Sequence, residues 1–281
     1  MIQTVGIIYN HRIAEAVSLS QQLQSVLKAL GKDVWLVKAR ELDQAGLDLP
    51  SLHLLVTLGG DGTILRAARL AARQEGVVLG VNLGQLGFLA ELGPADIVEQ
   101  IPGVVAGGGW VEERMMLRAT VHNNSTAATL DGLNDVVVTR GGRPRAIRVS
   151  VSIDDQHLQT YVADGVIVST PTGSTAYALA MDGPIVFPEL RTLQVTPIAP
   201  HLTVVKSIVV PPSATVALTV DSKEPTVVSV DGQIDMPLAD GATVHVTASP
   251  RVARFVRLQP RNYFYQTLVN RLSTTIVRRL L

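Results

Sequence analysis

Apolar residues in the first hundred positions fall in short runs separated by stretches with a helical beat. Residues 5–9 form one such run. After it, Ile13, Val17, Leu23, Val26, Leu27 and Leu30 recur close to every 3.6 residues, which predicts a helix over residues 12–30 that Gly31 is placed to end. Apolar runs at 34–37, 54–58 and 77–81 predict further strands, and residues 63–73 a second helix. Strands alternating with helices imply βαβ units, hence a parallel sheet covered by helices.

The texture changes at the glycine run 107–109. Ile147, Val149, Val151 and Ile153 alternate with Arg148, Ser150 and Ser152, as a half-buried strand requires, and Asp154-Asp155 then reads as a hairpin turn. Strand patterns recur at 216–220, 227–230, 244–246 and 252–258, so the second half is mostly β. Near the end Phe264, Leu268, Leu272, Ile276 and Leu280 recur every four residues, with Arg271, Arg278 and Arg279 off that stripe. This predicts an amphipathic helix packing back on the first domain.

Composition narrows the classes. At roughly 150 residues per domain, 281 residues suggest two domains. With 47% hydrophobic and 17% charged residues, disorder is excluded as the main state. Lys plus Arg and Asp plus Glu both number 24, so no global field draws the chain to nucleic acid or a membrane surface, and any anion site must be local. The absence of cysteine removes disulfides, thiolate nucleophiles and Cys-ligated metals. The amino terminus lacks the features of a signal peptide, and no stretch approaches the 18 or more apolar residues of a membrane span, so a cytoplasmic protein is expected. The six histidines show no metal-like spacing.

The sharpest chemical signal is Gly59-Gly60-Asp61-Gly62-Thr63, between an apolar strand and a helix. Glycines there let backbone N–H groups approach phosphate, whereas Asp61 would repel it unless it accepts a proton or holds a metal. The alternative is a tight turn with Asp61 or Thr63 capping the helix. No Gly-Lys-Ser/Thr phosphate loop and no Gly-x-Gly-x-x-Gly after a strand is present. A second signal is the run from Asp164 to Tyr177, with five hydroxyls between Ser169 and Tyr177; these suit a neutral ligand such as a base or ribose, and Tyr177 adds a ring face. Asn134-Asp135 offers an amide and a carboxylate to base edges and sugar hydroxyls, or is a turn leading into a strand. Asp231-Gly232-Gln233 reads equally as a hairpin turn.

In this order the segments resemble the NAD kinase family over nearly the whole chain, joined by residues 84–88, 183–185 and 196–201. Gly-Gly-Asp-Gly-Thr is shared with diacylglycerol kinase and phosphofructokinase relatives, and the run from Ser169 to Tyr177 is the specific part. The resemblance implies a Rossmann-like α/β domain over 1–114 with a returning helix in 257–281, a β-sandwich domain over 115–256, and NAD between them. It implies transfer of a phosphoryl group from ATP or polyphosphate, with Mg²⁺ or another divalent ion, to the 2′-hydroxyl of the adenosine ribose. Asp61 would orient and deprotonate that hydroxyl, and Gly59, Gly60, Gly62 and Thr63 would line the phosphates, Gly62 touching NAD as well. Asn134 and Asp135 would bind the adenosine portion; Phe88, Thr172, Thr175, Ala176 and Tyr177 would surround the adenine. Asp164 would face the nicotinamide side, and Asp231 would position phosphate or metal. Family members are homodimers or homotetramers, with residues after His201 near subunit contacts. Gln85, Ala178, Ala180 and Met181-Asp182 depart from the usual pattern and bear on acceptor preference. A lipid or sugar kinase of the same superfamily, or a non-catalytic dinucleotide sensor, are the alternatives.

Overall fold

A computed structural model describes residues 2–43, 50–84, 87–124, 126–142, 145–201 and 206–270. Gln85, residues 202–205 and the last part of the terminal stripe, from Arg271 on, lie outside them. The chain forms two units, Met1–Glu112 with Ala253–Leu281, and Glu113–Val252.

In the first unit, β1 (Thr4–Tyr9), α1 (Ala14–Ala29), β2 (Asp33–Lys38), β3 (Leu54–Gly59), α2 (Asp61–Ala71), β4 (Val77–Asn82) and α3 (Ile97–Val105) follow in order. The strands run parallel in the order β2-β1-β3-β4, and Arg254 and Phe255 pair in parallel with Val77 and Val78 on the far side of β4. Every residue of β3 is buried, as expected of a central parallel strand covered on both faces. One face packs Val5, Ile7, Val56, Leu79 and Val81 against Leu23 and Leu27 of α1 and Ile97 and Ile101 of α3. Alternation sends Gly80 to the other face, where a Cβ would come within 2.9 Å of Ile64 in α2. The left-handed Gly31 (φ 71°) ends α1 as its position predicts.

In the second unit the strands are β5 (Trp110–Asn123), β6 (Thr126–Gly132), β7 (Asp135–Arg140), β8 (Ile147–Ile153), β9 (Gln156–Ala163), β10 (Gly165–Ser169), β11 (Leu193–Ile198), β12 (Ile208–Val210), β13 (Val216–Val220), β14 (Thr226–Val230), β15 (Ile234–Leu238) and β16 (Thr243–Arg257), with a short helix α4 (Tyr177–Ala180). β5 begins, and β16 ends, in the first unit. One antiparallel sheet has the order β12-β11-β10-β7-β14-β15. A second set of antiparallel pairs joins β16, β13, β8 and β9, and β5 with β6. Val136, Val138, Val166 and Val168 from the first sheet share a core with Val149, Val151, Val216 and Val244 from the second, which makes this unit a sandwich. Asp154 and Asp155, both at positive φ, form the predicted two-residue turn between β8 and β9.

A buried ion cluster ties the first unit's early segments to the end of the chain. The Arg257 guanidinium donates to Glu112 (2.7 Å), Glu91 (3.2 Å) and the Leu89 carbonyl (3.0 Å). Glu91 in turn accepts the backbone N–H groups of Leu258 and Gln259, each at 2.7 Å. The side chains of Arg257, Glu91 and Glu112 are 8%, 3% and 7% exposed, so removing the cation would leave two carboxylates uncompensated away from water. Among the described residues no helix is long and apolar enough to cross a membrane. Arg257→Met should lower unfolding free energy by about 3–5 kcal/mol in a urea titration. Arg148→Met, at an ion pair whose side chains are more than half exposed, should cost less than about 1 kcal/mol in the same titration.

Candidate active site

β3 stops at Gly59 and α2 starts at Asp61, so one extended residue, Gly60, makes the whole strand-to-helix connection. The helix begins two residues before its predicted start because Gly60 alone supplies the break, its carbonyl accepting from the N–H groups of Thr63 (2.9 Å) and Ile64 (3.3 Å). A Cβ at Gly59 would lie 2.5 Å from the Thr63 hydroxyl oxygen, so the missing side chain lets Thr63 fold beneath the strand end. The positive end of the helix dipole therefore lies at the carboxyl edge of a parallel sheet, where anions are favoured.

The N-cap position of α2 is Gly60, which has no side chain to cap with. The Asp61 carboxylate accepts the Phe88 N–H through Oδ2 at 3.3 Å. It reaches that segment because a Cβ at Gly87 would collide with the carboxylate. The Leu83 N–H donates to the Gly59 carbonyl at 3.2 Å, which lays the chain after β4 across the end of β3. The Phe88 ring stands 6.3 Å from that of Phe264, within a helical stretch over residues 263–270.

In the second unit, Asn134-Asp135 opens β7, and Asp135 pairs in register with Ser169 at the end of β10, so the amide, the carboxylate and the hydroxyl-rich turn share one end of the sheet. Asp231 and Gly232 adopt positive φ (54° and 62°) and form the predicted hairpin between β14 and β15. Asp231 does more than turn. Its carboxylate accepts the N–H groups of Leu133 (3.0 Å), Asn134 (2.7 Å) and Asp135 (3.3 Å), fixing the backbone from which Asn134 and Asp135 project. Burial of the Asp135 carboxyl, with the negative Asp231 beside it, pushes its pKa up to about 7.

Of the five hydroxyls, three are engaged within the chain. Thr170 donates to the Leu133 carbonyl (2.5 Å) and Thr175 to Thr172 (3.1 Å); Ser174 donates to Pro171 (2.6 Å) and accepts from the Val186 N–H (2.9 Å). The buried hydroxyls of Ser169 and Thr172 have no partner among the described residues. A Cβ at Gly173 would strike the Asn134 carbonyl, so glycine lets the turn close against the start of β7. Tyr177 is 42% exposed at the start of α4, leaving its ring available, and Ala176 precedes it.

Asp164 stands apart from this cluster. The five residues of β10 separate it from Thr170, six steps or about 20 Å at roughly 3.3 Å per residue. There Arg140, which sequence reasoning did not single out, grips it at 2.8 and 3.3 Å. Ala178 is buried, Ala180 is exposed, and Asp182 closes α4 at positive φ (57°), a conformation aspartate tolerates. Met181 packs on Val137, Ile167 and Ile198. The buried amide of Gln194, paired in register with Ser169, extends the polar row begun by Asp135 and also escaped notice. Gly87 and Gly173 were visible as glycines, but nothing local showed which group each admits.

The raised pKa of Asp135 couples its protonation to folding. The native state holds its proton between the ordinary carboxyl value near 3.8 and about 7, where the unfolded chain has released it. Folding stability therefore falls as pH rises through that window. Asp135→Asn should flatten this slope and raise the melting temperature at pH 8, a gain of up to about 4 kcal/mol, with little change at pH 4. Parallel melting curves at the two pH values check it.

Family models described as the ATP-NAD kinase N-terminal domain and the ATP-NAD kinase C-terminal domain match residues 35–109 and 133–258. The chain is 42% identical over 278 residues to an NAD kinase of Chloroflexus aggregans, covering 97% of this chain and 99% of the relative. It is 40% identical over 275 residues to one of Dehalococcoides mccartyi, covering 97% of each. Among solved structures, yeast NADH kinase complexed with NADH superposes with a TM-score of 0.82 at 25% identity, covering 97% of this chain and 88% of that one. An NAD kinase from Archaeoglobus fulgidus in complex with ATP gives 0.74 at 26% identity, covering 92% and 95%. With both domain models matched in order and such identity sustained end to end, the chain belongs to the NAD kinase family.

Proposed function

We propose that this phosphotransferase moves a phosphoryl group from ATP or polyphosphate to the 2′-hydroxyl of the adenosine ribose of NAD, with Asp61 as the base. The observation that carries this reading is the Asp61 carboxylate, held in the first turn of α2 by the Phe88 N–H and given room by Gly87. The relatives solved with NADH and with ATP support a dinucleotide acceptor and a nucleotide donor.

Phosphoryl transfer passes through a loose transition state, so in-line positioning and neutralised charge matter more than a strong base. An aspartate is already ionised at neutral pH and can accept the hydroxyl proton late, as the oxygen bonds to phosphorus. Gly59, Gly60, Gly62 and Thr63 offer N–H groups and a hydroxyl to phosphate oxygens. Asn134 and Asp135 bind the adenosine portion, held in place by Asp231, which thereby acts on the ligand through the backbone. The buried Thr172 hydroxyl supplies a further hydrogen bond, Thr175 and Ala176 line the same turn, Phe88 and Tyr177 offer ring faces, and Asp164 marks the nicotinamide side.

Among the described residues no group of three or more His, Asp or Glu side chains is arranged to hold a metal ion. Mg²⁺ takes few protein ligands and many water and phosphate oxygens, so Asp61, in the glycine-rich loop, is the carboxylate that would face it. Bound there, the ion would neutralise charge on the transferring phosphates. Homo-oligomeric assembly and a cytoplasmic location complete the proposal, and light scattering and cell fractionation test them.

The decisive experiment incubates purified protein with NAD, Mg²⁺ and either ATP or polyphosphate and measures NADP in a coupled assay. Asp61→Asn should leave NAD affinity within a few-fold and lower turnover by roughly 10²–10⁴. An unchanged rate removes Asp61 from the mechanism, and a wild-type protein that binds NAD without forming NADP is a sensor. Phe88→Ala and Tyr177→Ala should each weaken NAD binding by about 1–3 kcal/mol, read by calorimetric titration.

A further inference from the structure

The Arg257 guanidinium reaches further than the charges it neutralises. Its Nε donates to Glu112, while Nη1 is shared between Glu91 and the main-chain carbonyl of Leu89. Leu89 directly follows Phe88, and the Phe88 N–H is the donor that the Asp61 carboxylate accepts. One residue of main chain therefore links this buried cation to the amide that touches the acid.

The link is stiff. A Cβ at Gly80 would lie 3.2 Å from the Leu89 carbonyl oxygen and 3.1 Å from the Ala90 Cα, so the bare glycine lets this stretch lie close on β4. The N–H groups of Glu91 (2.8 Å) and Leu92 (3.2 Å) then donate to the Gly80 carbonyl. The guanidinium is held as firmly, with its Cζ 5.1 Å from the centre of the Phe255 ring and Glu91 clamped by the Leu258 and Gln259 amides. Gly87, on the other flank of Phe88, has no side chain with which to anchor the segment.

Two details separate this arrangement from charge compensation alone. Two carboxylates suffice for one guanidinium, yet a contact at 3.0 Å goes to a neutral carbonyl. Nη2 is buried with no hydrogen-bond partner among the described residues, a cost carried while Nε and Nη1 reach their three acceptors. We propose that Arg257 is a positioning residue for the transfer step: by holding the Leu89 carbonyl it sets the Phe88 amide, and through that amide the place of the Asp61 carboxylate. The proposal rests on the reading of Asp61 as the base. Arginine suits the task because its planar fork spreads donors over several acceptors, whereas lysine brings the charge at a single point.

The coupled assay on the full chain tests this, run below the melting temperature of every variant. Arg257→Met should lower kcat by about 10–100-fold, the range expected when a reacting group is displaced by about 1 Å, with KM for NAD and for ATP unchanged within two-fold. Arg257→Lys should recover part of the loss; where the methionine variant does not fold, the lysine variant decides alone, with a several-fold fall in kcat expected. Leu23→Ala, at a fully buried position of α1, is the stability control: it should lower the melting temperature and leave kcat within two-fold. The proton chemical shift of the Phe88 amide reports its bond to Asp61, and should move in both Arg257 variants but not in Leu23→Ala. Wild-type kcat in the deciding variant, a change in KM in place of kcat, an unmoved Phe88 amide, or an equal fall of kcat in Leu23→Ala would each overturn the proposal. If Asp61→Asn keeps the wild-type rate, the assignment of the base fails instead, and the Phe88 shift still decides whether Arg257 holds that segment.

Discussion

A carboxylate can stand over the segment that follows β4 only where that segment carries no side chain, and position 87 meets the condition. Two stretches of chain cross at this point: the junction of β3 with α2, and the loop descending from β4. Their approach is closed by the Leu83 amide on Gly59 and by the Phe88 amide on Asp61. Parallel pairing of β3 with β4 sets the two stretches side by side, and glycine at 87 removes the side chain that would strike the carboxylate. The acid is thus placed by backbone geometry more than by its own rotamer.

The second unit handles its polar groups differently. Here carboxylates are buried, one spent on three backbone amides and the other with its pKa raised by that burial and, less, by its charged neighbour. A carboxyl group near its titration point can donate as well as accept, which suits sugar hydroxyls, themselves both donors and acceptors. The unpartnered hydroxyls of Ser169 and Thr172 belong to the same end of the sheet. A turn whose other hydroxyls are already satisfied can present these few groups rigidly.

Legibility in the sequence followed the range of the contacts. β1, β3, β4 and α1 were plain because apolar runs and a 3.6-residue period are local, and Asp154-Asp155 announced its turn by composition alone. α3 left little trace, since Pro102 and Gly103 interrupt a nine-residue helix that packing on α1 nonetheless sustains. The glycine-rich loop, Asn134-Asp135 and the hydroxyl run could be named as chemistry. What Asp231 does could not, because its partners lie nearly a hundred positions earlier and are backbone amides, which carry no sequence signature. The Arg140 grip on Asp164 was likewise hidden, as it assembles only when separate strands align.

Arg257 and the paired residues Arg254 and Phe255 have a bearing on how the protein is made. Roughly nine-tenths of the polypeptide must leave the ribosome before the strand that borders β4 and the cation that joins Glu91 to Glu112 become available. Until then the nascent first unit exposes the edge of β4 and carries two buried carboxylates without their counter-charge. The segment bearing Gly87 and Phe88 therefore gains its anchor, through the Leu89 carbonyl, only once residue 257 has been made.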